Sequence, residues 1–272
     1  MSYCYAVASG KGGVGKSTIT ANLAAALAQD GNRVVIIDAD IGLRSQDALL
    51  GMENRIVYDL IDLANGDCSM DQAVLESDTI HGLFLLPAAQ FARAKALDPK
   101  KLAKIIQSFR TAYDYVLIDC PAGIERGLRN VLNAAVDELI LIVTPDDISV
   151  RSAERAVQLM ESKKLNRPAL IVNRLNADLV RSREMMSART VAEVMDLCLL
   201  GEVPEDDVVS RAMLRHSLMI AYDCEARNAI LRIALRIKGG NPPFPAYGCR
   251  KQSWLKRLFT SPVKEVIPID DH

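Results

Sequence analysis

The sequence alternates between short apolar runs rich in β-branched residues and stretches with helical periodicity. The strand candidates cover residues 3–8, 33–38, 82–86, 115–119, 138–143, 169–173 and 198–203. A helical pattern follows the first candidate, with apolar side chains at Ile19, Leu23, Ala26 and Leu27. Because this alternation is typical of strands covered by crossover helices, it predicts an α/β fold with a mostly parallel sheet and helices on both faces.

The same pattern divides the chain into one large domain and a short C-terminal extension. A last helical stretch at 223–237 precedes the run 239–245, which holds two Gly and three Pro and cannot continue a helix. A chain of 272 residues, 50% of them hydrophobic, can bury the core of one large α/β domain. We predict a domain over 1–238, a linker over 239–249, a helix over 250–260 and a tail over 261–272.

Three of the strand candidates end on a polar residue, namely Asp38, Asp119 and Asn173. Ligands of open α/β sheets bind outside the carboxyl ends of the strands. We therefore expect these three side chains to lie at one edge of the sheet, near the loop that follows the first strand.

That loop is a glycine-rich run between the first strand candidate and the first helical pattern. It matches the phosphate-binding pattern G-x-x-x-x-G-K-[ST] and consists of Gly10, Lys11, Gly12, Gly13, Val14, Gly15, Lys16, Ser17 and Thr18. Glycines let backbone N–H groups surround phosphate oxygens, Lys16 reaches the β- and γ-phosphates, and the Ser17 hydroxyl binds Mg²⁺. The alternative is a Gly-rich turn without a ligand, but the strand-loop-helix context favours a nucleoside-triphosphate site.

The strand ending at Asp119 continues into Cys120, Pro121, Ala122 and Gly123. In a nucleotide-binding protein such an aspartate holds Mg²⁺ directly or through water, and the N–H of Gly123 can sense the γ-phosphate. An ordinary turn after a buried strand is the alternative.

Asp38 and Asp40 close the second strand candidate on either side of Ala39. Taken alone, two acids at a strand end are typical of a solvated turn. Beside a triphosphate, one can order a Mg²⁺-bound water and the other can position the attacking water. We assign Asp38 to the first role and Asp40 to the second.

Lys11 lies within the glycine-rich run but is not its phosphate lysine. Its side chain could simply be solvated. Alternatively, in a face-to-face dimer it could reach the partner's phosphates and stabilise charge in the transition state, as an arginine finger does.

Composition limits the other interpretations. A formal net charge of −1 and a pI near 6.3 argue against a surface built for nonspecific DNA binding. The six cysteines are scattered without C-x-x-C spacing, and we find neither a secretory segment nor an apolar stretch long enough to span a membrane. We therefore expect a reducing, cytoplasmic environment.

The predicted C-terminal helix is amphipathic. Its apolar residues Trp254, Leu255, Leu258 and Phe259 share one helical face, whereas positive charges, among them Lys256 and Arg257, occupy the other. This pattern predicts a membrane-targeting helix that binds an anionic surface, and the alternative is a terminal helix docked on the core. Because one such helix binds marginally, two in a dimer would gain avidity.

Taken together, the motifs resemble the MinD/ParA family of ATPases, which carry a deviant Walker A motif with a second lysine. The resemblance covers, in order and spacing, residues 11–18, 38–44 with Asp47, 57–60, 86–90, 119–125, 149–151 and 203–206. It implies a P-loop NTPase fold of the MinD/ParA (SIMIBI) type, with ATP and Mg²⁺ as cofactors.

The resemblance also implies a role for each matching residue. Lys11 would act in trans, Lys16 on the phosphates, Asp40 in hydrolysis and Asp119 as the Walker B acid. Adenine contacts would come from Asn173 and from the segment after Val203, which is Pro204, Glu205 and Asp206.

Three positions depart from the family's pattern. Cys120 replaces a usual Ser or Thr, and Ser45 replaces a common Asn. The segment 213–218 lacks the Asn-x-Gly-x-Pro pattern expected there, so the resemblance implies no base-side or partner contacts for that loop.

The implied function is that of an ATPase switch for placement of the division septum. An ATP-dependent homodimer would bind the cytoplasmic face of the inner membrane, recruit a MinC-type septum inhibitor, and leave when a MinE-type activator stimulates hydrolysis. A ParA-like DNA partition ATPase is the alternative, but it would need a basic surface rather than an apolar tail, so no specific nucleic acid is expected. An iron protein of the nitrogenase type would need cysteines placed to bridge a dimer through a cluster, and Cys120 alone does not provide them.

Overall fold

The computed structural model describes residues 2–90, 97–123, 126–134 and 136–245. Eight strands of this part of the chain form one sheet in the order β3-β4-β2-β5-β1-β6-β7-β8, and all neighbours are parallel except β3 and β4. The strands are β1 (Tyr3–Ala8), β2 (Val34–Asp38), β3 (Leu75–Glu76), β4 (Leu83–Leu86), β5 (Tyr115–Asp119), β6 (Glu138–Val143), β7 (Ala169–Leu175) and β8 (Leu199–Pro204).

Helices cover both faces of this sheet. In chain order they are α1 (Lys16–Gln29), α2 (Gln46–Leu50), α3 (Leu60–Asn65), α4 (Met70–Ala73), α5 (Pro99–Phe109), α6 (Arg126–Leu132), α7 (Asp147–Ser162), α8 (Ala177–Arg181), α9 (Ala188–Met195), α10 (Asp207–Leu214) and α11 (Glu225–Ile237). The α1 and α11 helices pack on one face, and α5, α6, α7 and α9 pack on the other. The predicted fold class is confirmed.

The central strands are buried on both sides, which explains why they appear in the sequence as continuous apolar runs. All five residues of β2 and of β5 are buried. Helix α11 packs closely on β8 at Gly201. A Cβ at this position would stand 2.2 Å from a side-chain carbon of Ile233. Because the strands are packed densely on both faces, their carboxyl ends hold the residues of the site in fixed positions.

The sheet register brings the predicted acids together. Asp38 of β2 lies opposite Asp119 of β5, and Asp119 lies opposite Val7 of β1, three residues before Gly10, the first residue of the glycine-rich loop. The carboxyl ends of three adjacent strands therefore meet at the loop, as the sequence predicts.

The strand boundaries differ from the prediction by one residue in β2, β4 and β8, and by more in two places. No pattern in the sequence indicates β3, a two-residue strand antiparallel to β4. The seventh strand continues past Asn173 to Leu175, across an irregularity at which Arg174 has a φ of +58° and the ladder with β8 shifts register.

After α11, the chain turns at Gly239, whose φ is +86°, and leaves the helix. Residues 241–245 remain in contact with α11 through Arg236. The rest of the predicted linker, the predicted helix over 250–260 and the tail lie outside the described residues.

Candidate active site

The glycine-rich loop joins β1 to α1 and packs against α7 and β7. A Cβ at Gly10 would stand 2.2 Å from the backbone carbonyl carbon of Ser152, so only glycine permits this approach. At Gly15 the φ is +88°, and a Cβ would stand 2.4 Å from the amide nitrogen of Asn173. That amide donates a hydrogen bond to the carbonyl oxygen of Val14 at 2.8 Å. Packing from two elements thus fixes the loop's shape.

Lys16 begins α1 and is almost fully buried. Its Nζ lies 2.6 Å from Oδ1 of Asp119 and 3.9 Å from Oδ2 of Asp40. Burial alone would lower the pKa of Lys16, but the charge of Asp119 and its hydrogen bond raise that pKa above its ordinary value. Lys16 is therefore a cation held by two of the three predicted catalytic or metal-binding acids, and it can exchange them for phosphate oxygens.

Asp38 and Asp119 are both fully buried. Oδ1 of Asp38 accepts a hydrogen bond from the backbone of Asp40, and Oδ2 accepts one from the backbone of Gln46. Burial and then the charge of Asp119 raise the pKa of Asp38 to about 7. When both are ionised, the two carboxylates leave an excess of negative charge beside the single cation Lys16, and a divalent cation would neutralise it.

Asp40 lies two residues beyond Asp38, at the start of a turn. The Asp40 carbonyl accepts hydrogen bonds from Leu43 and Arg44, and Arg44 has a φ of +50°. Burial raises the pKa of the Asp40 carboxyl, and the nearby Lys16 opposes this shift. The carboxylate therefore lies beside the phosphate lysine, as a water-positioning role requires, and that role stays a prediction.

Ser17 is covered by the segment that follows Asp40. The hydroxyl of Ser45 donates to the hydroxyl of Ser17 at 3.0 Å, and the amide of Gln46 donates to the Ser17 carbonyl at 3.1 Å. The same amide donates to Oδ2 of Asp119 at 2.6 Å. Sequence reasoning missed Gln46, because a lone glutamine in a polar stretch carries no signal for such a position.

The second lysine is held within its own subunit. Nζ of Lys11 lies 3.1 Å from Oδ1 of Asp146, which caps the N-terminus of α7 by accepting from the backbone of Ser149. Although partial burial raises it, hydrogen bonds from Thr144, Ser149 and Lys11 hold the pKa of Asp146 below its usual range. No sequence signal marked Asp146 as a partner of Lys11.

A cleft of about 330 Å³ opens beside α1. Its lining includes all four residues that the family resemblance assigns to adenine, together with Thr18 of the loop; the four are Asn173, Pro204, Glu205 and Asp206. The backbone N–H of Glu205 donates to the Leu175 carbonyl, so the irregular end of β7 holds this wall. The cleft suits a planar base next to the phosphate loop, and the individual contacts stay predictions.

The altered segment 213–218 reaches this cleft through its first residue. Met213 lines it, while Leu214 points outward and is 84% exposed. His216 has a φ of +49°, and its Nδ1 lies 4.0 Å from a carboxylate oxygen of Glu53. The segment thus places a thioether at the cleft and contacts the turn that follows α2.

Two predicted residues at the end of β5 occupy supporting positions. Cys120 is fully buried, burial raises the pKa of its thiol, and its Sγ donates to the Ile118 carbonyl. Gly123 has a φ of +83°, and its N–H donates to the carbonyl of Ser9 before the loop. Cys120 therefore fills the core as a small residue, and Gly123 is tied to the start of the loop.

The predicted magnesium ligands are Ser17, Asp38 and Asp119. Among the described residues, no group of three acidic, His or Cys side chains could by itself hold a metal ion. Mg²⁺ is typically bound through one or two carboxylates together with phosphate oxygens and waters, so this donor set fits it. When bound there, Mg²⁺ would neutralise charge on the β- and γ-phosphates.

The chain is similar to known proteins over most of its length. The family model described as "ParA: NUBPL iron-transfer P-loop NTPase" matches residues 1–238. The septum site-determining protein MinD of Helicobacter pylori is 39% identical over 270 residues, covering 96% of this chain and 100% of that protein. The chain belongs to the MinD family of P-loop ATPases. The family resemblance read from the motifs is thereby confirmed.

Solved structures of MinD proteins have the same fold. MinD in a MinC:MinD complex from Aquifex aeolicus aligns with a TM-score of 0.84 and 34% identity, covering 91% of this chain and 100% of that chain. MinD of Pyrococcus horikoshii, complexed with Mg-ADP, gives a TM-score of 0.77 at 29% identity, with coverage of 87% and 96%.

In the described part of the chain, no helix combines the length and the apolar character needed to cross a membrane. The predicted membrane residues Trp254, Leu255, Lys256, Arg257, Leu258 and Phe259 lie outside the described residues.

Proposed function

We propose that this chain is an ATP-hydrolysing switch that selects the division site. One observation carries the proposal most directly: a buried phosphate-loop lysine, Lys16, contacts the acid that ends a neighbouring strand, while a second lysine, Lys11, remains near the surface. The first arrangement serves ATP and Mg²⁺ within one subunit. The second supplies a cation for a partner subunit.

Within one subunit, ATP would draw Lys16 away from Asp119 onto the phosphates. Asp119 would then be free to hold Mg²⁺ with Ser17 and Asp38, and Asp40, which lies beside the phosphate lysine, would orient the attacking water. These steps need no large rearrangement, because Asp119 and Asp40 already lie 2.6 Å and 3.9 Å from the lysine.

Dimerisation would complete the site. The ion pair between Lys11 and Asp146 is partly exposed on both sides, with relative exposures of 33% and 47%. Exposed pairs of this type contribute at most about 1 kcal/mol, so phosphate of a facing subunit can displace Asp146. A triphosphate on the facing subunit would thus draw Lys11 from Asp146 and favour the dimer.

The predicted C-terminal helix would couple dimerisation to the membrane. Four large apolar side chains on one face and basic residues on the other suit the cytoplasmic surface of an anionic inner membrane. Two copies in one dimer raise the apparent affinity by ~10²–10⁴ over one copy. ATP binding thus selects the membrane-bound state, and hydrolysis releases it.

The partners follow from the family. A MinD of Aquifex aeolicus forms a complex with MinC, and we infer that this chain recruits a MinC-type septum inhibitor. A MinE-type activator would then trigger hydrolysis. The partition alternative has less support, because relatives that cover most of this chain are septum site-determining proteins and the net charge is −1.

Vesicle sedimentation tests this proposal. The full chain should sediment with anionic vesicles in ATP and Mg²⁺ but remain in the supernatant in ADP, and higher salt should weaken binding. Leu258→Glu places a charge in the apolar face and should abolish sedimentation while nucleotide binding is retained. Ser253→Glu adds the same charge on the predicted polar face and is the matched control.

Two results would contradict the proposal. If the protein bound vesicles equally in ATP and in ADP, the nucleotide would not control membrane binding and the proposed switch would be wrong. Sedimentation of the Leu258→Glu protein in ATP would show that the predicted helix does not bind the membrane. It would favour docking of that helix on the domain or on a protein partner.

A further inference from the structure

Gln46, the first residue of α2, contacts all three residues predicted to bind Mg²⁺. Its backbone N–H donates to Oδ2 of Asp38 at 3.1 Å. Its side-chain Nε2 donates to Oδ2 of Asp119 at 2.6 Å and to the carbonyl of Ser17 at 3.1 Å. The side chain is fully buried, so these contacts are made without competition from solvent.

The orientation of the Gln46 amide is fixed by its neighbours. Nε2 faces a carboxylate oxygen and a carbonyl oxygen, both of which only accept hydrogen bonds. Turning the amide over would place Oε1 against those two oxygens, so only the orientation with Nε2 toward them forms hydrogen bonds.

This orientation leaves Oε1 of Gln46 as a buried acceptor without a partner among the described residues. Buried acceptors in native proteins are almost always satisfied by protein or by ordered water. Because Oε1 belongs to the same amide group as Nε2, which is bound to Asp119, it is one amide group away from a predicted magnesium ligand. A donor is therefore expected there when the site is filled.

We propose that Gln46 is a positioning residue for Mg²⁺. Its Nε2 holds Oδ2 of Asp119, and its Oε1 accepts a hydrogen bond from a water molecule bound to the ion. The inference rests on the proposed nucleotide site. Gln46 lies outside the phosphate loop and the strand ends. Through it, α2 and the turn after Asp40 would be connected to the bound metal.

The positioning role of Gln46 matters most when Lys16 leaves Asp119. In the absence of phosphate, Asp119 is shared between Lys16 at Oδ1 and Gln46 at Oδ2. When Lys16 moves to the nucleotide, Gln46 remains as the neutral group that keeps the carboxylate from rotating. A neutral donor is suited to this task, because it does not compete with Mg²⁺ for the site by charge.

The test measures metal binding rather than turnover. Gln46→Leu keeps the approximate size of the side chain but removes donor and acceptor, and Gln107→Leu on the exposed face of α5 is the matched control. We expect the ADP complex of the Gln46→Leu variant to bind Mg²⁺ about 10–100-fold more weakly than wild type, as for other groups that orient metal ligands. Binding of ADP in EDTA should not change.

Gln46→Glu provides a second variant whose effect has the opposite sign. It places an oxygen against Asp119, so the nucleotide-free protein should melt at a lower temperature than wild type. Adding Mg²⁺ and ADP should then raise its melting temperature by more than in wild type, whereas the rise should shrink in Gln46→Leu.

Each outcome decides between the possibilities. If wild type fails to bind ADP with Mg²⁺, the proposed function itself is wrong. If wild type binds and Gln46→Leu has the same affinity for Mg²⁺, Gln46 only packs α2 and the inference is wrong. If Gln46→Leu does not fold, the test rests on the Gln46→Glu variant. The inference is then wrong if Mg²⁺ and ADP raise the melting temperature of that variant by no more than they raise that of wild type.

Discussion

Nζ of Lys11 lies 3.1 Å from Oδ1 of Asp146, 135 residues further along the chain. The lysine proposed to act on a partner's phosphates is therefore bound by its own subunit. Asp146 is also held by Thr144 and by the N-terminus of α7, so it stays in place when Lys11 leaves. The pair is a weak restraint that competes with dimerisation rather than preventing it.

We predict that Lys11→Ala binds ATP but no longer dimerises or shows stimulated hydrolysis, because the cation for the partner site is missing. Size-exclusion chromatography in ATP and a stimulated ATPase assay measure both effects. Asp146→Asn retains the helix cap but removes the charge, and it should tighten the dimer by up to about 5-fold. A normal dimer with normal turnover in Lys11→Ala would exclude the trans role.

Lys16→Ala should fail earlier, at nucleotide binding itself. It also leaves the fully buried Asp119 without its cation, and breaking a buried pair in this way costs about 3–5 kcal/mol. Chemical denaturation and equilibrium binding of ADP separate the two effects. Retained ADP affinity in a folded Lys16→Ala protein would contradict the assignment of the phosphate lysine.

We predict that Asp40→Ala binds ATP and dimerises but hydrolyses at least ~100-fold more slowly, because the carboxylate acts on the attacking water. The variant should accumulate on anionic vesicles in ATP, since its dimer is not released. Asp30→Ala, an exposed acid at the end of α1, controls for loss of negative charge. Full stimulated activity in Asp40→Ala would rule out its proposed role.

The raised pKa of Asp38 predicts a pH dependence. In the folded, metal-free protein this carboxyl has a pKa of about 7, whereas in the unfolded chain it titrates near pH ~4. The folded state therefore holds a proton that the unfolded state releases, and stability contributed by Asp38 is lost as the pH rises from about 4 to about 7. Because Mg²⁺ requires the ionised form, Mg²⁺ affinity should rise as the pH passes through about 7.

Melting temperatures of the metal-free protein between about pH 5 and about pH 8 check this prediction. Asp38→Asn keeps an acceptor but does not titrate, so the difference between wild type and variant isolates Asp38. Isothermal titration in two buffers of different protonation enthalpy should also detect protons released as Mg²⁺ binds. Parallel pH profiles of the two proteins would show that Asp38 does not titrate in this range.

Sequence patterns predict those parts of the site whose signal is local. Apolar runs locate the central strands, and the strand ends identify Asp38 and Asp119, because parallel strands with a common direction bring their carboxyl ends together. The two-residue strand Leu75–Glu76 is too short to show any periodicity. The seventh strand is predicted to end at Asn173 because two polar residues interrupt its apolar run before Leu175.

Contacts between distant segments could not be predicted in this way. Nothing in the sequence near Gln46 indicates that its amide bridges Ser17 and Asp119, since the bridge depends on how α2 folds back over the loop. Asp146 has the sequence context of a helix cap, which it is, and its contact with Lys11 depends on the packing of α7 against the loop. Tertiary packing created both relationships.

The last prediction concerns the segment that leads toward the C-terminal helix. Cζ of Arg236 lies 3.8 Å from the ring centre of Phe244, and its two Nη atoms donate to the carbonyls of Leu200 and Pro242. One arginine therefore ties residues 241–245 to β8 and α11, so the chain leaves the domain from a fixed position. We predict that Phe244→Ala lowers the free energy of unfolding by about 1 kcal/mol and increases cleavage after Gly239 in limited proteolysis. Phe244→Leu keeps apolar bulk without the ring, so its stability and its protection from proteolysis should lie between those of wild type and Phe244→Ala. If Phe244→Ala were as well protected as wild type, stacking on the ring would not hold this segment.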